Sequence, residues 1–154
     1  MNKDLQSTLV LLKPDAVQRG LIGTILAKVE RRGLKVVAMK LLQVTPDLAE
    51  QHYRIHKTRP FFQGLVAFIT SSPIVAIVLQ GPAAIDLVRN TIGATDPAQA
   101  APGTIRGDLA TDIGRNLIQG SDSMESARAE IRLFFQDDEV LDYYRNIDPW
   151  IIES

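Results

Sequence analysis

Five cationic side chains of this sequence stand beside predicted breaks in secondary structure, where they could bind an anionic group. Phosphoryl transfer requires charge neutralisation, positioning and a nucleophile in line with the phosphorus, and cations supply the first of these. Each cation considered alone is more commonly a solvated surface charge. The five are Lys13, Arg59, Arg89, Arg106 and Arg115.

The segment 116–127 has the pattern of a strand, a tight turn and a helix. Leu117 and Ile118 form an apolar pair that predicts the end of a strand, and Gly120 allows the backbone to turn. We therefore expect the side chain of Gln119 to be held at the turn and to point away from the core. An enzyme commonly places a reactive group at such a position.

The helix after this turn has a predicted start and a predicted buried face. Asp122 is the expected N-cap, with Glu125 three residues later as the capping-box partner. Four apolar residues recur at helical spacing and are expected in the core. They are Met124, Ala127, Ile131 and Phe134.

The two histidines, His52 and His56, are four residues apart on one predicted helix. That spacing can place two imidazoles on one metal ion. The neighbouring sequence offers no third ligand, so we do not expect a metal centre. Neither histidine lies at the turn, so we do not expect either one to act as a nucleophile there.

Hydrophobic periodicity predicts alternating strands and helices along the chain. The predicted strands cover 8–12, 34–44 and 73–79, and a last one ends at residue 118. The predicted helices cover 21–32, 46–56 and 61–69, a further helix starts at Gly81-Pro82, and 93–104 is a long loop. This order fits a ferredoxin-like α+β sandwich with added helices, although a small doubly wound α/β domain is also compatible with it.

Composition is typical of a globular protein. The chain has 154 residues, 45% apolar and 23% charged, with a net charge of −1 and no cysteine. We expect one domain, 1–154, without disulfides or thiol chemistry. The polar start lacks the apolar core of a signal peptide, and no apolar run has the length of a membrane span. We therefore expect a cytoplasmic protein with no membrane partner and weak nucleic-acid binding at most.

Four groups of residues resemble the motifs of the nucleoside diphosphate kinases, which move a γ-phosphate between nucleotides through a phosphohistidine. The groups are Lys13-Pro14-Asp15 with 18–20; Arg59-Pro60-Phe61-Phe62 with 64–66; Gly93, Thr95 and Pro97 with 102–108; and Asn116 with 120–122 and 125–127. The resemblance covers 9–150. It implies a ferredoxin-like βαββαβ sandwich with a four-stranded antiparallel sheet and added helices.

The resemblance also implies how a nucleotide is bound. Phe61 would stack on the base, a contact that tolerates every base because each has a π-face. Asn116 would hold the ribose hydroxyl, and Lys13 would reach both the sugar and the transferring phosphate.

The resemblance assigns the phosphates to a second group of residues. Arg89, Thr95 and Arg106 would bind the β- and γ-phosphates through charge-assisted bonds. A magnesium ion would bridge the phosphates, held mainly by the nucleotide itself.

The catalytic positions implied by the resemblance include one departure. Tyr53 would lie beside the phosphate acceptor, and Glu130 would orient that acceptor while bonded to Ser121. Where the family has its nucleophilic histidine, this chain has Gln119. The nitrogen lone pair of an amide is delocalised into the carbonyl, so glutamine is no useful nucleophile. We expect nucleotide binding to survive and phosphotransfer to be lost, because the binding groups and the nucleophile contribute separately.

Three origins of Gln119 are open. The first is an engineered substitution in an otherwise ordinary enzyme. The second is a natural inactive relative that serves as a nucleotide-binding sensor or scaffold. Thirdly, Gln119 could deamidate slowly beside Gly120 to a glutamate able to form an acyl phosphate. We favour the first, because the other site residues remain in place.

The resemblance further implies a homo-oligomer. The loop 93–106 resembles the family's trimer contact, and the tail 150–152 resembles that of hexameric members. We expect a hexamer rather than a tetramer.

Overall fold

A computed structural model describes residues 4–153, so the two ends of the predicted domain 1–154 lie outside the described residues. Four strands form one sheet in the order β2-β3-β1-β4, and every neighbouring pair is antiparallel. The strands are β1 (Leu5–Leu12), β2 (Lys35–Leu42), β3 (Ile74–Pro82) and β4 (Ile118–Gly120).

Seven α-helices connect and cover the strands within the described range. They are α1 (Pro14–Gln18), α2 (Ile22–Arg31), α3 (Pro46–His52), α4 (Phe62–Ile69), α5 (Ala84–Ile92), α6 (Ile105–Leu109) and α7 (Met124–Phe134). None of the helices between residues 4 and 153 is long and apolar enough to cross a membrane.

The central strands β1 and β3 are buried on both faces, which explains their continuous apolar runs. Alternate β1 side chains enter separate cores, Val10 and Leu12 on one side and Leu9 and Leu11 on the other. Helices α2 and α5 cover the first face, and α3, α4 and α7 contribute to the second. The ferredoxin-like α+β prediction is confirmed, and the antiparallel pairing excludes the doubly wound alternative.

Proline explains two differences from the predicted elements. Pro14 ends β1 as expected but also begins α1, because a proline at the first helical position loses no intrahelical bond. The predicted helix start at Gly81-Pro82 is wrong, since both residues belong to β3. Pro82 occupies the last paired position of that strand, opposite Leu5, where a missing amide hydrogen costs least.

The helix that carries the histidines begins as predicted and ends earlier. The Thr45 hydroxyl accepts a hydrogen bond from the amide of Leu48 at 3.1 Å, and Pro46 takes the first helical position. Helix α3 stops at His52 rather than at residue 56, and a 3-10 turn, Arg54–His56, follows.

The last helix starts one residue later than predicted. Its N-cap is Ser123, whose hydroxyl accepts from the amide of Ser126 at 3.0 Å, so the capping assignment to Asp122 is wrong. In this helix Met124 is 46% exposed and does not join the core, whereas Ala127 and Phe134 are buried.

Candidate active site

One cleft of about 990 Å³ lies beside the end of β1, the C-terminal part of β4 and the helices α3, α5 and α7. Nine of the ten site residues implied by the resemblance line it together: Lys13, Tyr53, Phe61, Arg89, Thr95, Arg106, Asn116, Gln119 and Glu130. Arg59 and Arg115 are exposed and lie outside the lining of this cleft as far as residues 4–153 define it. Ser121 is buried and does not line the cleft.

The two cleft arginines differ in how freely they can meet an anion. Arg106 is only 8% exposed, and its guanidinium donates to the carbonyl oxygens of Asn116, Gly93 and Ile118 at 3.2, 3.1 and 2.5 Å. Burial, with the nearby Arg89, lowers the pKa of Arg106 to about 10, so it stays charged at neutral pH. Arg89 is exposed on α5 and can follow a ligand.

Lys13 and Asn116 form a polar pair in the lining of the cleft. The Lys13 ammonium donates to the Asn116 Oδ1, and the Asn116 amide in turn donates to the Thr95 carbonyl at 2.9 Å. Burial lowers the pKa of Lys13 to about 8, an effect that Asp15 opposes and nearby arginines reinforce. An anion in the cleft would favour the charged ammonium.

A left-handed residue directs the chain into the cleft. Leu117 has a φ of 74° although it is not glycine, a conformation that costs about 1–3 kcal/mol. Two bonds hold it: its amide donates to Asp15 Oδ2 at 2.9 Å, and its carbonyl accepts from the Lys13 amide at 2.8 Å. Asp15 thus fixes the backbone between Asn116 and Gln119. The sequence motif contained Asp15 but did not reveal this role.

Gln119 lies in β4 and not at a turn, so that prediction is wrong. It pairs with Leu11, because the ladder with β1 continues to Gly120. The side chain of Ile118 enters the core, and strand alternation sends that of Gln119 to the opposite face. There the Gln119 amide nitrogen donates to the Tyr53 hydroxyl at 2.8 Å, and its Oε1 lies 3.3 Å from His52 Nε2.

His52 is a site residue that the sequence reasoning excluded. Its side chain is 3% exposed and packs at 4.6 Å, between ring centroids, from Tyr53. Burial lowers its pKa, so the imidazole is neutral at pH 7. Because the Gln119 oxygen can only accept, the ring proton belongs on Nε2. The other nitrogen, Nδ1, then faces Glu130 Oε2 at 3.7 Å, beyond hydrogen-bond length.

Glu130 reaches the cleft from α7 and is tied to the sheet. Its Oε1 accepts from the Ser121 hydroxyl at 2.7 Å, and the Ser121 oxygen also accepts from the Leu9 amide at 3.2 Å. Burial raises the pKa of Glu130, partly offset by the bond from Ser121 and reinforced by Asp122. Such a carboxylate is a better proton acceptor near neutral pH than an exposed one.

Phe61 lies at the entrance of the cleft rather than in the core. It is 51% exposed, with the ring of His56 at 5.3 Å between centroids, whereas the following Phe62 is buried. An exposed ring beside a cationic cleft can stack on a planar heterocycle.

Together these groups can bind an anion with a planar aromatic part. The cations neutralise phosphate charge, and the exposed ring offers a stacking surface. Residue 119 supplies an amide in place of a nucleophile.

Comparison with known proteins gives a consistent result across family, sequence and structure. A model of the family described as nucleoside diphosphate kinase matches residues 6–140. The nucleoside diphosphate kinase of Thermomicrobium roseum is 55% identical over 148 residues, 96% of this chain and 99% of that protein. The one from Archaeoglobus fulgidus is 52% identical over 150 residues, 97% of this chain and 99% of that protein.

Solved structures agree. The halophilic nucleoside diphosphate kinase of Halobacterium salinarum, determined in complex with CDP, superposes with a TM-score of 0.94 at 49% identity, covering 97% of this chain and all of the other. A nucleoside diphosphate kinase family protein from Babesia bovis gives 0.93 at 41% identity, covering 96% of this chain and 99% of the other. This chain therefore belongs to the nucleoside diphosphate kinase family of phosphotransferases.

Proposed function

We propose that this chain binds nucleoside di- and triphosphates in the cleft but does not carry phosphate on residue 119. The strongest support comes from the side chain of Gln119 and its surroundings. Its amide stands among the cleft cations, bonded to Tyr53 and His52, where the family resemblance places the nucleophile.

The nucleotide would enter with its base at the exposed Phe61 and its phosphates toward the arginines. Asn116 and Lys13, already paired with each other, would turn toward the ribose hydroxyls and the phosphate chain. Arg89 and Thr95 would bind the phosphates directly. Arg106 would contribute with the donors that its three carbonyl bonds leave unused.

Magnesium would enter with the nucleotide. Residues 4–153 contain no group of three histidine, aspartate or glutamate side chains that could hold a metal ion. Phosphate oxygens and water are the hard ligands that magnesium prefers, so the nucleotide itself would supply most of them. The ion would neutralise phosphate charge alongside the cleft cations.

Loss of the nucleophile should abolish the covalent route. Removal of the nucleophilic serine from a serine protease lowers turnover by a factor on the order of 10⁶. Tyr53 and Glu130 are already bonded to Gln119 and Ser121, respectively, and we do not expect either one to take over the role of the nucleophile.

The test compares the chain with its Gln119→His variant. We would measure ADP affinity by calorimetry and phosphate transfer from ATP to a second nucleoside diphosphate. Similar affinities, with fast transfer only in the histidine variant, are the expected result. The matched control is Gln51→His, which adds an exposed histidine one residue before His52 and should leave the chain inactive. Transfer at the variant's rate by the unmodified chain would contradict the proposal, and so would failure to bind ADP.

A second candidate function is a nucleotide sensor or scaffold that has lost catalysis naturally. Intact bonds between Lys13 and Asn116 and between Ser121 and Glu130 suit an engineered loss better, because they preserve the catalytic surroundings. If the Gln119→His variant binds nucleotides yet stays inactive, the sensor role is favoured.

We further propose a cytoplasmic homohexamer. Support comes from exposed apolar groups: Trp150 is 90% exposed, and Leu41 and Met39 are exposed on β2, which is an edge strand. Exposed apolar groups and an open strand edge favour covering by another copy of the chain. Sedimentation equilibrium measures the assembly directly, and a tetramer mass would contradict the hexamer.

A further inference from the structure

We propose that the cleft hydrolyses the terminal phosphate of a bound nucleoside triphosphate, with Gln119 positioning the attacking water and Glu130 accepting its proton. The inference rests on the proposed function, because the nucleotide must first bind in the cleft. It adds an activity that does not require a nucleophilic side chain.

Gln119 has the bonding capacity to hold a water molecule. A primary amide carries two N–H donors and an oxygen with two lone pairs. One donor is used by the Tyr53 hydroxyl at 2.8 Å, and one lone pair faces His52 at 3.3 Å. One donor and one lone pair remain for a ligand in the cleft that Gln119 lines.

The two bonds also fix the amide. The Tyr53 and His52 partners, both largely buried and packed on each other, restrict its rotation. A fixed amide can orient water for attack on a γ-phosphate, a role that glutamine fills in GTP-hydrolysing proteins. Water held by Gln119 would occupy the place where the family resemblance puts the nucleophilic atom, in line with the transferring phosphorus.

Glu130 lines the same cleft as Gln119 and can accept a proton from that water through a second water molecule in the cleft. Its Oε1 accepts from Ser121, whereas Oε2 accepts no hydrogen bond from any residue in the range 4–153. Oε2 lies 3.7 Å from the ring of His52, whose opposite nitrogen faces Gln119, so the imidazole separates the carboxylate from the amide and the proton must pass through the cleft that both groups line. Burial raises the pKa of Glu130, which makes it a stronger proton acceptor than an exposed carboxylate.

The reaction balances without any further reactant. The water oxygen forms a bond to the γ-phosphorus as the bond from phosphorus to the β,γ-bridging oxygen breaks. That electron pair leaves on the nucleoside diphosphate, whose charge Arg89 and Lys13 neutralise. One water proton passes through a second cleft water to Glu130 Oε2 and then to solvent, and the products are nucleoside diphosphate and inorganic phosphate.

The experiment measures release of inorganic phosphate from ATP and magnesium, with ATP affinity measured on the same preparations. The variants are Gln119→Leu, which keeps the size but removes the amide, and Glu130→Gln. We expect phosphate release to fall at least about tenfold in the first and about 100-fold in the second, since a general base contributes 10²–10⁴-fold. ATP affinity should stay within about threefold, as neither group is charge-paired with phosphate.

Gln51→Leu is the matched control, because Gln51 is exposed on the same helix as His52 and lies away from the cleft. Its rate should equal that of the unmodified chain. Circular dichroism melting of each variant separates a lost amide from a lost fold, and the Glu130→Gln variant tests the same step independently.

Two results would overturn the inference while leaving nucleotide binding intact. One is phosphate release by the ATP-bound chain no faster than by Gln119→Leu. The other is alkali-stable transfer of radiolabelled γ-phosphate onto the chain, which would show a covalent intermediate, for instance on His52, in place of direct attack by water. Failure to bind ATP would instead contradict the proposed function and this inference with it.

Discussion

Replacing Asp15 with alanine should destabilise the fold by removing the bond that holds Leu117 in its left-handed conformation. The Asp15 carboxylate is buried and accepts from the Leu117 amide at 2.9 Å. Leu117 itself is fully buried, with a φ of 74°, so its amide has no access to solvent once the partner is removed.

The magnitude follows from that geometry. A hydrogen bond to a charged group contributes about 1.5–3 kcal/mol, and an unsatisfied buried donor costs about 1–3 kcal/mol. Against this, alanine relieves the cost of burying a carboxylate whose Oδ1 has no hydrogen-bond partner within residues 4–153. We expect Asp15→Ala to lower the free energy of unfolding by about 2 kcal/mol. Asp15→Asn, which keeps an acceptor but loses the charge, should lower it by about 1 kcal/mol.

Urea denaturation followed by circular dichroism measures both changes. Asp142→Ala is the control, since Asp142 is exposed and should shift stability by no more than about 0.5 kcal/mol. The reasoning would be refuted if Asp15→Ala fell within the range of the control, or if the asparagine variant were the less stable of the two.

Three other predictions concern binding and folding. Phe61→Ala should weaken ADP and GDP binding alike, by about 1–3 kcal/mol, because an aromatic ring stacks on any base. Calorimetry with both nucleotides measures this, and a loss of affinity for only one of them would contradict it. ADP affinity should fall as pH rises through about 8, because the free protein loses the Lys13 proton there while bound phosphate would retain it. Titrations between pH 7 and 9 test this, and a Lys13→Met variant should lose the dependence. Gly107→Ala should lower the free energy of unfolding by about 1–3 kcal/mol, because its Cβ would collide with the Ala101 carbonyl oxygen; an unchanged urea midpoint would contradict this.

The sequence was informative where local chemistry decides the structure. The apolar runs of β1 and β3 predicted buried strands, and Thr45 with Pro46 predicted the start of α3. These features depend on residues within a few positions of one another, and their physical causes are strand burial and helix capping.

Contacts between distant parts of the chain cannot be predicted from local sequence patterns. His52 and Gln119 are separated by 67 residues, and Asp15 and Leu117 by 102. Periodicity shows which face a side chain occupies but not which side chain it meets from another element. The sequence therefore gives no sign that the imidazole of His52 reaches the amide of Gln119, although the fold brings them within 3.3 Å.

Neighbouring capping residues also limited the prediction. Asp122 and Ser123 are both good N-caps, and the sequence pattern favoured the aspartate because Glu125 follows it at capping-box spacing. The structure uses Ser123, which turns Met124 outward and leaves the Asp122 carboxylate at the cleft.

The three hydrogen bonds from Arg106 to backbone carbonyl oxygens give this residue a structural role that is independent of any ligand. Its guanidinium joins the backbone at Gly93, Asn116 and Ile118, so losing it would damage the fold whether or not any nucleotide is ever turned over. Selection for a stable protein alone would preserve it. Arg89 is different: across residues 4–153 it makes no hydrogen bond or ion pair with another side chain, so only an anionic ligand in the cleft would give its guanidinium a partner. Among descendants of such a chain, Arg89 should be the first of the two to be replaced when nucleotide binding no longer matters.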